Sequence, residues 1–451
     1  MEQVSILANA IARRDHSMEK NPSPCRLGPV ILRDPVHQLI SFSGDAERLL
    51  MELIDTPEMQ RLRRIRALGL ASLAFPGGEH SRFAHAVGSA HVMRRYLEHV
   101  RAFSSELAAH DRITPEMSLI ALAAALLHDL GHGPYSHTFE DLLPSGRSHE
   151  SWTEQILRDS ATSVHRVLAQ LDRTAPDCVA DLICGRGAIP HLARAVSGTF
   201  DVDRCDYLMR DSHMTGVRYG DLDLDWLLAS LRLHRPETGG PARLAVDGEK
   251  GLTAVEGFFL ARLYMYRQVY LHKAVRAADA VMQALFRRVA AVGTPAGTPE
   301  PLAALVRGNE ISTGAYLDLD DHTLEVVLAG WERCGDDVVA DLAGRLRGRR
   351  LFKTQSLRAD VGREVVTQRL RELVAGLGED PDYYACIDRV EVVAYADHDG
   401  MMVLHGGGRV ERLIDASPVL RGLSRERFVH YRAIFPEAVR EAARVGLADL
   451  V

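Results

Sequence analysis

His128-Asp129-Leu130-Gly131-His132-Gly133-Pro134-Tyr135-Ser136-His137 closes the apolar run Leu119–Leu127 with three histidines and a carboxylate in ten residues. A core helix has little use for that much titratable chemistry. A metal centre does, because imidazole nitrogen and carboxylate oxygen together suit divalent first-row metals. Adjacent helical residues point about 100° apart, so His128 and Asp129 reach one ion only where a helix ends, and Gly131 with Gly133-Pro134 predicts that end.

Working outward, the helix feeding this stretch opens at Thr114-Pro115-Glu116, and an earlier one opens at Thr56-Pro57-Glu58. Each pairs a capping hydroxyl with proline at the first helical position and an acid in the first turn. Phe75-Pro76-Gly77-Gly78 is a turn, after which Arg82-Phe83-Ala84-His85 starts a helix through Val100. Within Asp201–Asp211, Asp203, Tyr207 and Asp211 recur at i, i+4, i+8 and share one helix face. Its plain alternative is a solvated acidic face paired with Arg204 and Arg210. Arg262, Tyr266 and Tyr270, again four apart, suit a phosphate beside a sugar or base ring, or else a buried aromatic seam with a snorkelling arginine.

Chain length of 451 residues accommodates a main domain and a smaller one. Hydrophobic content of 46% with 25% charged residues is that of a soluble globular protein. A net charge of −7 argues against a broad nucleic-acid surface. No apolar run is long enough to span a bilayer, and Met1–Lys20 lacks the continuous apolar stretch of a signal peptide. Six cysteines without a C-x-x-C pair read as reduced buried thiols of a cytoplasmic protein.

Residues 1–26 form a polar extension, 27–292 the core, and 302–451 a smaller lobe beyond the Gly293–Pro301 break. Val30-Ile31-Leu32 is a short strand entering the Asp34-Pro35-Val36-His37 turn. Leu252–Val292 reads as one long helix or two joined end to end, and Val390–Tyr395 with Met401–Leu404 as a hairpin about His398-Asp399-Gly400.

The words Asp34–His37, Asp55-Thr56-Pro57 with Gln60-Arg61-Leu62-Arg63, Phe75-Pro76-Gly77, Ser81–His85, His128–His137, Asp201–Asp211 and Tyr270-Leu271-His272-Lys273, in this order, resemble the HD-domain metal phosphohydrolases. More narrowly, the chain is similar to the deoxynucleoside triphosphate triphosphohydrolases of the SAM-and-HD-domain type and their bacterial relatives. The resemblance covers about Val30 to Lys273 and implies a mainly α fold: an HD-domain helical core with a smaller α+β C-terminal lobe.

By that resemblance His85, His128, Asp129 and Asp203 hold a divalent metal (Mn, Fe, Mg, Co, Ni or Zn), leaving positions open for water and phosphate. Arg82, His137, Arg204 and Arg262 match contacts to the triphosphate, and His132, Glu140 and His149 the proton-transfer cluster. Glu140 stands where many relatives carry aspartate. Tyr207 and Asp211 match the residues that hold the sugar 3′-hydroxyl. Leu68 and Tyr270 match the walls beside C2′, and Tyr266 shares the tyrosine stripe. The implied reaction is water attack at the α-phosphorus, releasing a nucleoside and inorganic triphosphate.

Two departures bear on regulation and specificity. Ala67 replaces a glutamine near the base edge, which leaves base preference open. Asp55, Gln60 and Arg63 match an activator-nucleotide pocket, yet Val30 stands where its phosphate-binding lysine would be. The expected partners are a nucleotide substrate and further copies of the chain in a dimer or tetramer, with no membrane and no nucleic acid. The alternatives are an HD phosphohydrolase acting on a monophosphate, modified nucleotide or second messenger, and a regulatory protein that binds nucleotide without hydrolysing it.

Overall fold

Asp34 makes the first turn of the structure: its Oδ1 accepts the N–H groups of Val36 and His37 at 2.9 Å each. That turn joins strands Val30–Asp34 (β1) and Gln38–Phe42 (β2), paired antiparallel from Val30↔Phe42 to Asp34↔Gln38. The computed structural model describes residues 30–43, 47–102, 112–144, 146–186, 189–236, 239–396 and 400–451. The expected extension 1–26 and the His398-Asp399 turn signal lie outside the described residues.

Ser81 accepts the Ala84 N–H and starts helix Arg82–Arg101 (α1), buried along most of its length. Thr114 accepts the Met117 N–H at 3.2 Å and, with Pro115 and Glu116, starts Pro115–Leu127 (α2). From Ile120 to Leu127 this helix is buried on every side, so it runs through the core rather than over it. It stops one residue before the histidine: His128 is its C-terminal cap. Gly131 does a different job from the chain break expected of it. A Cβ there would lie 2.0 Å from the His149 carbonyl oxygen and 2.4 Å from the Thr153 nitrogen, so it permits close approach of the helix His149–Arg158 (α4) that follows the short His137–Glu140 (α3).

Asp201 accepts the backbone N–H groups of Arg204 (2.8 Å) and Gly198 (3.1 Å) and launches Val202–Thr215 (α5), which Gly216 ends in the left-handed region at φ 75°. Strands Leu231–His234 (β3) and Arg243–Asp247 (β4) follow. The Leu252–Val292 segment is two helices, Leu252–Met265 (α6) and Lys273–Val292 (α7), joined through a π-turn at Tyr266–Tyr270. Such a turn widens the helix and shifts the side-chain register, a feature frequent at functional sites.

In the C-terminal lobe Lys353–Ser356 (β5), Cys386–Val393 (β6) and Arg427–Phe435 (β9) form a three-stranded antiparallel sheet in the order β5-β9-β6. Val390–Tyr395 and Met401–Leu404 do not form the expected hairpin. Met402–Leu404 (β7) does not pair with β6; it lies parallel to β4 and antiparallel to Val410–Arg412 (β8), in the sheet β3-β4-β7-β8. The chain therefore returns from the lobe to complete a sheet begun before α6.

Two large apolar clusters hold these layers. One gathers α1, α2 and α5 with Val403, Leu413 and Leu420 from the returning segment. The other surrounds α7, from Ala277 to Val289, with Trp331, Phe352, Ile434 and Phe435. Cys205 is buried as expected of the cysteines, whereas Cys178, Cys184, Cys334 and Cys386 are half-buried. Among the described residues no helix is long and apolar enough to cross a membrane.

Candidate metal and phosphate site

His85 from the first turn of α1, His128 and Asp129 from the end of α2, and Asp203 from the first turn of α5 meet at one point. His85 Nε2 lies 3.3 Å from His128 Nε2, 3.0 Å from Asp203 Oδ1 and 3.5 Å from Asp129 Oδ2. His128 Nε2 lies 3.4 Å from Asp129 Oδ1 and 3.5 Å from Asp203 Oδ1. Ligand atoms of His85, His128 and Asp129 all fall within 4.8 Å of one another.

The far side of each imidazole sets its tautomer. His85 Nδ1 is 2.8 Å from Asp206 Oδ2, and His128 Nδ1 is 3.0 Å from the Ala125 carbonyl oxygen. Nδ1–H donates to each acceptor and keeps its proton, which assigns a lone pair to both Nε2 atoms. Two lone pairs facing each other at 3.3 Å between two carboxylates need positive charge between them. A divalent cation fits this donor set. A proton partly answers the same demand: burial opposes charge on His85, but its bonds to Asp203 and Asp206 push its pKa up to about 10.

Behind His85 lies a buried polar hub that the sequence reading did not assign. Asp206, fully buried, takes His85 on one oxygen and His37 Nε2 at 2.7 Å on the other, while Arg210 donates to both. Arg210 also donates to Asp34 Oδ2 at 2.7 Å. Burial works against the Asp206 charge, but Arg210, His37 and His85 hold the carboxyl well below its usual range. The pairing of Asp206 with Arg210 four residues on was the available signal. The arginines pair with other acids than the plain alternative gave them: Arg204 with Asp201 and Arg210 with Asp206, while Asp203 faces His85 and the buried Asp211 faces Tyr270 and His80.

A second cluster adjoins the first. Glu140 Oε1 accepts from His137 Nδ1 at 2.9 Å and His149 Nδ1 at 3.0 Å, and Oε2 accepts the His149 backbone N–H at 3.3 Å. Partial burial opposes its charge, yet the two histidines hold the Glu140 carboxyl well below the usual range. His132 stacks on His149, ring centroids 3.8 Å apart. It is buried with no hydrogen-bond partner on either nitrogen among the described residues; Nε2 stands 3.3 Å from Asp129 Oδ1 without forming one. Burial, with Arg82 and His149 nearby, holds His132 neutral, its pKa well below 6.5.

The four metal-nest residues and the three histidines of the second cluster line a cavity of about 500 Å³, with Glu140 behind its wall; the walls also include Leu68, Arg82, Arg204, Tyr207, Asp211, Tyr266 and Tyr270. Asp211 accepts from Tyr270 Oη at 2.7 Å and faces His80 Nε2 at 2.9 Å, so His80 is a further support the sequence reading passed over. Arg82 donates to Asp129 Oδ2 at 2.7 Å and to Ser136 Oγ at 2.9 Å. Ser136 and Tyr135 adopt left-handed φ of 58° and 56°, a strained loop pinned by the Ser136 bond to the Arg66 carbonyl (2.7 Å) and by Asp321 on the Tyr135 N–H (2.7 Å).

Some expected residues stand elsewhere. Arg262 does not line the cavity. Its guanidinium stacks 4.9 Å from the Tyr266 ring and turns toward the carbonyls of Val393 and Ala394 instead of into the cavity that Tyr266 and Tyr270 line. Arg204 lines the cavity while bonded to Gly198 and Asp201. Asp55, Gln60 and Arg63 also lie off the cavity: Asp55 caps a short helix, Gln60 donates to the Ile54 carbonyl, and Arg63 donates to Gln60 and stacks on Phe83.

Comparison with known proteins matches an HD domain to residues 82–173 and an HD-associated region to residues 223–435. The uncharacterized protein YwfO of Bacillus subtilis is 30% identical over 419 residues, covering 90% of this chain and 92% of that protein. The deoxynucleoside triphosphate triphosphohydrolase SAMHD1 of Danio rerio is 26% identical over 332 residues, 66% of this chain and 51% of that protein. The chain thus spans about half the length of that relative. A crystal structure of a phosphohydrolase from Bacteroides thetaiotaomicron superposes with a TM-score of 0.76 at 25% identity, covering 91% of this chain and 100% of that one.

Proposed function

The chain belongs to the HD-domain phosphohydrolases, and from that premise we propose that it hydrolyses deoxynucleoside triphosphates at the α-phosphate, yielding a deoxynucleoside and inorganic triphosphate. The observation that carries this reading is the meeting, in one cavity, of a His₂Asp₂ metal nest with a sugar-sized wall of Tyr207, Tyr270 and Asp211.

His85, His128, Asp129 and Asp203 would hold the metal, which supplies positive charge to phosphate oxygens and acidifies water. Arg82 sits against Asp129 and adds fixed positive charge where phosphate charge builds up. His149, held at Nδ1 by Glu140, presents Nε2 as the acid toward the leaving 5′-oxygen; His132 packs flat against it and keeps water from that face. Asp211 has a Tyr270 bond on one oxygen and orients the 3′-hydroxyl, and the Tyr270 ring crowds C2′ opposite Leu68. A ribose 2′-hydroxyl there would be buried without a partner.

A second reading has a specific observation behind it. With Arg262 turned toward backbone carbonyls, Arg204 is left as the cationic contact for the outer phosphates, which suits a nucleotide with fewer of them. Product analysis separates the two. The purified protein is incubated with each dNTP, NTP and dNMP in Mn, Mg, Fe, Co, Ni and Zn, and phosphorus products are resolved. Inorganic triphosphate with free deoxynucleoside supports the proposal; orthophosphate or pyrophosphate overturns it.

A further inference from the structure

The same cavity is also lined by Leu271, by Val275, Arg276 and Asp279 of α7, by Thr138 of α3 and by Asp141. Leu68, Ala71, Leu271 and Val275 add apolar sides. Its polar edge is fixed from behind. Arg276 Nη2 donates to Asp388 of β6 at 2.8 Å and Nε donates to the same carboxylate at 3.2 and 3.3 Å. Arg276 Nη1 donates to Asp279 Oδ2 at 3.3 Å, and Thr138 Oγ1 donates to Asp279 Oδ1 at 3.0 Å. Asp388 is buried and lies outside the cavity wall.

A guanidinium carries five N–H donors in one plane. Two edges of Arg276 are spoken for, and N–H groups on both terminal nitrogens remain for an occupant. Apolar faces with one donor edge are what a flat heteroaromatic ring requires. Neither the metal nest nor the sugar wall employs this arginine.

Resting on the dNTP reading above, the geometry points to Arg276 as the residue that reads the nucleobase, positioned by Asp388 of the C-terminal lobe, and to guanine as the favoured base. Guanine offers O6 and N7 as adjacent acceptors to an arginine. Adenine places an amine at the same edge, thymine offers one acceptor, and cytosine an amine. Arg276 lines the same cavity as Tyr270 and Leu68, so its donors share the compartment that a base attached to the held sugar would enter.

The test compares kcat/KM and equilibrium binding for dGTP, dATP and 7-deaza-dGTP on the metal-loaded full chain. Wild type is expected to favour dGTP over dATP about tenfold, within the range of one bidentate contact. 7-deaza-dGTP, lacking N7, is expected to lose most of that advantage. Arg276→Ala should bring the dGTP/dATP ratio within about twofold, and Asp388→Asn should lower it partway with metal content unchanged. A folding defect lowers all rates together and leaves the ratio alone, so the ratio is the readout. Equal use of dGTP and dATP by wild type, or a full preference surviving in Arg276→Ala, overturns the assignment. A wild-type ratio in Asp388→Asn overturns the positioning role. If no dNTP turns over, the substrate reading fails, while the binding ratio still judges Arg276.

Discussion

Asp206 Oδ2 stands 2.8 Å from His85 Nδ1, with both side chains almost wholly removed from solvent. This contact keeps the proton on Nδ1 and turns Nε2 to the metal nest. Asp206→Asn is nearly isosteric but uncharged, so it weakens the hold on the His85 proton and leaves Arg210 with less compensation. Metal affinity should fall about 10–100-fold, the usual effect of losing such a partner. Stability should drop by about 3–5 kcal/mol, as when one member of a buried pair is removed. Titration calorimetry with Mn²⁺ and denaturant melts check the two effects; unchanged metal affinity would show that His85 needs no such support.

Gly88 explains how the hub fits beneath α1. A Cβ at this position would lie 1.9 Å from Asp206 Oδ1 and 2.4 Å from Arg210 Nη2. Gly88→Ala should therefore destabilise the protein by at least about 1–3 kcal/mol, although alanine is the better helix former by about 1 kcal/mol. It should also weaken metal binding by displacing Asp206. A melt showing a more stable variant would mean that the hub is looser than its distances imply.

Removing a metal ligand should separate chemistry from folding. His128→Ala and Asp203→Ala take away ligand atoms at the cavity surface rather than core volume. Each should lower hydrolysis by more than the roughly hundredfold upper range for a supporting residue, with helical circular dichroism retained. Full activity in either purified variant would defeat the ligand assignment.

How much of this was legible in the sequence depends on how local the signal was. The starts of α1, α2 and α5 carry their caps at Ser81, Thr114 and Asp201, within three residues of the groups they bind. Two of those starts hold His85 and Asp203 in the first turns of α1 and α5, while His128 sits at the opposite end of α2, where the apolar run stops. The pairing of β7 with β4 was not legible, because the partners lie more than 150 residues apart and no local pattern encodes which edge is free. Arg262 was misplaced because spacing of four says which residues share a helix face and not where a long side chain ends; its guanidinium stacks on Tyr266 and turns to the Val393 and Ala394 carbonyls, more than 130 residues away in the chain. Asp206 was overlooked because it lies off the stripe of Asp203, Tyr207 and Asp211, on the side that meets α1.

Tyr270 joins the sugar wall to the carboxylate beside it through its 2.7 Å bond to Asp211. Tyr270→Ala removes both the ring and this bond and should raise NTP turnover relative to dNTP turnover by about tenfold or more. Tyr270→Phe keeps the ring and should preserve most of the preference. Ratios of kcat/KM for a matched dNTP and NTP decide the point; no change in the alanine variant would place the 2′ discrimination elsewhere.

His91 supplies a pH test at a residue that is not one of the four ligands. It is 9% exposed, its ring centroid lies 5.0 Å from that of His37, and its Nδ1 accepts from Arg94 Nη2 at 3.1 Å. Burial, with His37, Arg94 and Arg95 adding repulsion, pushes its pKa down from 6.5 to about 4, only partly offset by Asp206. The unfolded chain takes up this proton near pH 6.5 and the folded chain only near 4. Stability from the neutral ring is therefore present above pH 6.5 and lost progressively as pH falls to about 4. A difference of about 2.5 units at 1.36 kcal/mol each gives about 3 kcal/mol. His91→Gln keeps an acceptor for Arg94 and cannot titrate, so its stability should fall less steeply between pH 6.5 and 4 than that of the wild type. Parallel stability–pH curves for the two proteins would show that His91 stays solvated enough to protonate in place.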